Sequence, residues 1–149
     1  MGQLMDFYAG EPDQIGAAFA ARDYAALRKL TPHAEFSLHI TSIDLDVLTS
    51  LAAAALGEGP TSFEESWERH VAGDGDESSA EVMSQDWVRL MARSNAEALV
   101  TAWAAALAEE YSNPSITPTD DMRTALAELT ALCQQAERDG TRVVHTWSM

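Results

Sequence analysis

The strongest constraint on the fold is a change of period near the C-terminus. Met122, Ala125, Leu126, Leu129, Leu132, Cys133 and Ala136 recur every 3.6 residues, the buried stripe of an amphipathic helix. Thr117 caps its start, Pro118 suits the first helical position and Asp120 the third; the helix runs to about Arg138 and Gly140 ends it. Residues 141–149 follow at once, and Val143, Val144 and Trp147 read as a terminal strand. A striped helix joined by one glycine to an apolar strand must share a core with it, so the class is α+β.

Other segments extend the pattern. Met1, Gln3, Met5, Phe7 and Ala9 form a mostly apolar row in a first strand. Pro12 opens a helix with Ile15, Ala18 and Phe19 inward, and Asp23 caps another from Tyr24 to Leu30. Ala34, Phe36, Leu38 and Ile40 alternate with His33, Glu35, Ser37, His39 and Thr41, as in a strand with one buried face. A helix follows over about residues 44–56, capped by Ser42 or Asp44 and stopped by Gly57. Phe63, Trp67 and Val71 at i, i+4 and i+8 predict a short helix from Thr61 or Ser62 to Gly73, its glutamates toward water. Residues 73–79 (GDGDESS) read as a mobile acidic loop, and residues 80–92 fit a strand or a short helix. Ser94-Asn95-Ala96-Glu97 reads as a capping box for an alanine-rich helix from Ser94 to about Tyr111. The expectation is one helix-rich α+β domain over residues 1–149. Its small antiparallel sheet would have three or four strands covered by helices on one face.

Charge is the other strong signal. The chain has 24 acids and 9 bases among 149 residues, a net charge of -15. Nine carboxylates fall within residues 58–86: Glu58, Glu64, Glu65, Glu68, Asp74, Asp76, Glu77, Glu81 and Asp86, with Arg69 the only fixed cation among them. Such a surface repels nucleic acid and anionic lipid and attracts basic partners. The 26 alanines and single lysine, Lys29, also fit a GC-rich bacterial genome or salt adaptation, either of which lowers the functional weight of the charge. One cysteine, Cys133, excludes an internal disulfide and fits a reducing compartment. The opening MGQLMDFYAG has no basic region or long apolar run, so a soluble cytoplasmic protein is expected.

Motifs of chemistry are sparse. His33-Ala34-Glu35 superficially resembles the zinc deaminases, which also need a Pro-Cys-x-x-Cys segment that a chain with one cysteine lacks. His39 lies roughly 20 Å from His33 along an extended strand, too far for one ion. Asp74-Gly75-Asp76 opens like a calcium loop but has Ser79 and Gln85 where glycine and a carboxylate are required. Phosphate-binding glycine motifs and a nucleophile elbow are absent, so no cofactor is assigned. The tryptophans fit core positions, with Trp87 a candidate contact anchor. The opening residues, and the ending as a long helix and β-prone tail, are similar to the YfbM-like bacterial proteins of unknown function; the resemblance covers the two ends and implies no activity.

Three functional expectations follow. The first is a non-catalytic module, of the immunity or antitoxin type, that meets a basic protein through Glu64, Glu65, Glu68, Asp74, Asp76 and Glu77. The second is a ligand pocket or enzyme site on the polar sheet face, lined by Asp6, Tyr8, Glu35, His39 and His145. The third is a homodimer joined through the alanine-rich helix.

Overall fold

The computed structural model describes residues 4–30, 32–36 and 40–149. Their elements run β1 (Leu4–Gly10), α1 (Pro12–Ala20), α2 (Tyr24–Leu30), β2 (His33–Phe36), α3 (Ser42–Ala55), a 3-10 turn (Glu64–Ser66), β3 (Trp67–Ala72), β4 (Ser78–Met83), α4 (Gln85–Ala92), α5 (Ala96–Glu110), α6 (Asp120–Asp139) and β5 (Arg142–Ser148). The strands form one antiparallel sheet in the order β2-β1-β5-β4-β3. The fold is α+β, and β5 is its central strand, with Val143, Val144, His145 and Thr146 all buried.

Five strands replace the three or four expected, and helices cover both faces rather than one. Alternation makes two faces and both are apolar. Met5, Phe7, Ala9 and Val143 enter the larger core with α3, α4, α5 and α6; Tyr8, Ala80, Val82 and Val144 enter a smaller one with Ile15, Phe19 and Leu27 of α1 and α2. Gly16 permits close approach of α1 to β3, since a Cβ there would lie 3.0 Å from the Val71 carbonyl oxygen.

The largest correction concerns residues 61–73. They form the 3-10 turn and edge strand β3, not a helix. Trp67 pairs with Met83, Arg69 with Val82, His70 with Glu81 and Ala72 with Ala80, with register shifts between Trp67 and Arg69 and between His70 and Ala72. Each shift inserts a residue, so positions three apart share a face. Phe63 and Trp67 join the larger core while Val71 packs on the smaller one, so the four-residue recurrence of Phe63, Trp67 and Val71 does not mark one face. Residues 73–77 are the hairpin turn to β4, and the ambiguous stretch after it holds both a strand and a helix, β4 and α4.

Helix starts were displaced by one or two residues. Asn95, not Ser94, caps α5 by accepting the Ala98 N–H at 3.1 Å, while the Ser94 hydroxyl donates to the Leu90 carbonyl. Thr119 caps α6 by accepting the Met122 N–H, two residues beyond Thr117. Trp87 is no surface anchor: it is buried, stacks on Phe7 and donates its indole N–H to Thr49 Oγ1 at 3.2 Å. Cys133 is buried in α6, and desolvation with the nearby Glu137 pushes its thiol pKa up.

Candidate functional site

The acidic stretch folds back on itself around two depressions. Glu58, Glu65 and Asp86 share one cleft of about 390 Å³ with Ser66, Ser84 and Arg89. Glu64 and Glu81 share a second cavity of about 400 Å³ with Trp67, Trp147, Ser79 and His145. The hairpin brings these groups together, because Ser79 pairs with Trp147 and Glu81 with His145 across β4 and β5.

Five of the nine carboxylates have partners. Glu58 pairs with Arg93 at 3.1 Å, Asp86 with Arg89 at 3.3 Å, Glu81 with His70 at 2.8 Å, and Glu68 with Arg142. Asp74 accepts the N–H groups of Asp76, Glu77 and Ser78 through one oxygen, which holds its pKa below the usual carboxylate value. Asp74 thus staples its own turn. Glu64, Glu65, Asp76 and Glu77 are exposed, and none forms an ion pair among the described residues. The expected six-residue anionic plate is therefore narrower, and it is carried by a turn and a hairpin rather than by a helix.

Inside the second cavity the chemistry changes. His145 is completely buried against Phe7, Phe63 and Trp67, with ring centroids 4.8, 5.0 and 6.4 Å away. Burial lowers its pKa from 6.5 to about 3, with the Asp6 carbonyl opposing, so the imidazole is neutral. Neither ring nitrogen makes a hydrogen bond of ordinary geometry, and the Trp67 indole N–H is also unpaired. Beside them the Ser79 hydroxyl donates to Glu81 Oε1 at 2.5 Å. His70 places Nδ1 2.8 Å from the same oxygen and Nε2 3.0 Å from the Gly73 carbonyl. Acceptors on both sides favour the protonated His70 ring, and the Glu81 hydrogen bond raises its pKa most. The Ser79 hydroxyl also lies 3.2 Å from His70 Nδ1, so Ser79, Glu81 and His70 form one hydrogen-bonded trio.

The residues grouped by strand alternation part company. Asp6 pairs with Glu35 and Tyr8 with His33, on the α1–α2 face. Asp6 and Glu35 line a cleft of about 290 Å³ there with Tyr24 and Arg28. Burial, then Glu35, raises the Asp6 pKa to about 6, and burial with Asp6 raises that of Tyr8. His145 lies in the opposite core, and His39 lies outside the described residues. The sheet separates them because neighbouring residues of one strand point to opposite faces. Trp67, Trp147, Ser79 and Glu81 were not singled out as site residues by sequence, since only the β3–β4–β5 pairing brings them together.

Among the described residues no group of three His, Cys, Asp or Glu is arranged to hold a metal ion, and no helix is long and apolar enough to cross a membrane. No protein-family model, curated protein or solved structure matches the chain.

Proposed function

We propose that the protein is a non-catalytic binding module for a basic protein, of the immunity or antitoxin-like kind, and that residues 58–86 form the docking face. The observation that carries this reading is the convergence of five carboxylates on two adjacent depressions, with Glu64, Glu65, Asp76 and Glu77 exposed and without ion pairs among the described residues. Unpaired carboxylates lose little on meeting a cation, whereas paired ones must first break an existing contact. Fixed negative charge also speeds encounter with a positive partner and repels nucleic acid, the natural competitor for such a partner's basic groove.

The test is affinity capture on the wild-type chain beside a variant carrying E64Q, E65Q, D76N and E77Q. The expected result is a basic partner retained by the wild type, released by salt and lost from the variant. Retention that ignores both salt and the four substitutions overturns the reading, as does the absence of any retained basic protein. A homodimer through α5 is the other association open to the chain: its outer Ala98, Thr101 and Ala105 are exposed, and a monomeric mass in light scattering removes it.

A further inference from the structure

The cavity beside His145 has walls that select an occupant. They hold two indoles, Trp67 and Trp147, two carboxylates, Glu64 and Glu81, and the Ser79 hydroxyl, and among the described residues no lysine or arginine lines it. Indole faces and carboxylates both attract an organic cation. Carboxylates alone say only that a surface is negative. The independent observation is His145, a fully buried polar side chain in the cavity wall with neither nitrogen in a hydrogen bond of ordinary geometry, although the Asp6 carbonyl faces the ring. Buried polar groups are nearly always paired, so an unpaired one beside a cavity points to a group from outside.

The donor and acceptor balance narrows that group further. A neutral imidazole offers one lone pair and one N–H. Glu64 and that lone pair call for donors, whereas Glu81 already accepts from His70 and Ser79 through Oε1. The Trp67 indole N–H calls for an acceptor. An inorganic cation or a simple amine supplies only the first half. A basic residue within a polypeptide supplies both, through its side-chain N–H groups and its peptide carbonyls.

We propose that the cavity walled by Trp67, Trp147, Glu64, Glu81 and His145 is a socket for an arginine or lysine side chain presented by a polypeptide. It rests on the reading of residues 58–86 as a docking face and gives that face its anchor. Exposed Glu64, Glu65, Asp76 and Glu77 gather the basic partner, and the socket fixes one side chain between indoles. Arginine suits it better than lysine, because a planar guanidinium stacks on indole while reaching a carboxylate with its edge.

The test is an NMR titration of the full chain with N-acetyl-arginine N-methylamide and with its citrulline counterpart, which keeps the shape and loses the charge. The readout is the four indole N–H resonances, assigned through single Trp→Phe variants. The arginine compound is expected to shift Trp67 and Trp147 while Trp87 and Trp103 stay in place. The citrulline compound is expected to bind at least about tenfold more weakly, and Glu81→Gln and Glu64→Gln each to weaken the arginine compound roughly three- to tenfold. Glu64 is exposed, so its variant keeps the test decisive if Glu81→Gln folds poorly. Unmoved Trp67 and Trp147 signals, equal binding of the citrulline compound, or indifference to Glu64→Gln overturns the socket. Loss of the socket with salt-sensitive capture of a basic partner intact leaves the docking face standing. A socket that binds arginine on a chain that captures no basic protein refutes the docking face instead.

Discussion

Replacing His145 with phenylalanine is expected to make the protein relatively more stable in mild acid. His145 is fully buried, and its pKa falls from 6.5 to about 3 through desolvation, against the opposing Asp6 carbonyl. The unfolded chain therefore binds a proton below the ordinary histidine pKa while the folded chain does not. Stability due to the neutral ring is complete above that pKa and is lost as pH falls toward the folded value. At about 1.4 kcal/mol per unit, on the order of 3 kcal/mol is gone by about pH 4.5. Asp6 works the other way. Its folded pKa is raised from 3.8 to about 6, so the folded chain takes up the proton first and gains stability as pH falls. That gain reaches at most about 2 kcal/mol by about pH 4.5, and less because Asp6 is only partly buried. The Asp6 gain offsets part of the His145 loss in the wild type. His145→Phe removes only the loss, so its stability relative to wild type rises by about 2–3 kcal/mol between about pH 7 and 4.5. Near neutral pH the swap exchanges unpaired nitrogens for an apolar ring among aromatics, with an expected change within about 1.5 kcal/mol. Urea denaturation of both proteins at both pH values, with matched slopes, measures the difference. A difference that does not change with pH would show that His145 is not held neutral, and the reasoning fails.

Asp6→Asn, by removing the opposing gain, is expected to steepen the acid loss by up to about 2 kcal/mol in the same denaturation series. Gly73→Ala is expected to cost roughly 2–3 kcal/mol in thermal melts, because Gly73 sits at φ +90 and a Cβ there would overlap the Ser78 carbonyl. Asp44→Ala removes the acceptor of the Thr41 N–H at 2.8 Å and of the Tyr111 hydroxyl at 2.6 Å, for an expected loss of about 2 kcal/mol; Asp44→Asn should recover part of it. His70 has a raised folded pKa, so its pairing with Glu81 stabilises the fold below the ordinary histidine pKa and is lost as pH rises through the raised value. His70→Gln should abolish that step, by about 1 kcal/mol or less because the ring is half exposed; a step that persists contradicts the assignment.

Local periodicity exposes most helices and three of the strands, β1, β2 and β5. The stripe from Met122 to Ala136 and the row Met5, Phe7, Ala9 are local patterns, and each lies where its period places it. Residues 61–73 carry a four-residue apolar recurrence that serves two cores, since Phe63 and Trp67 pack on one side of the sheet and Val71 on the other. The second helical layer is hidden because both sheet faces are covered: Val143 and Val144 of β5 enter opposite cores, so no polar face alternates with an apolar one. The site was only half legible. Its carboxylates announced themselves by density, but nothing local says that Trp147 will stand opposite Ser79 or His145 opposite Glu81. Register across β4 and β5 is a long-range choice made by packing.

The most direct measurement is a chemical-shift map of the full chain titrated with nona-arginine at moderate ionic strength. The account predicts shifts confined to residues 58–86 and to His145 and Trp147, fading as salt rises. Equal shifts at the other exposed acidic clusters, Glu109–Glu110, Asp120–Asp121 and Glu137 with Asp139, would mean that net charge alone attracts the peptide and that no docking face exists.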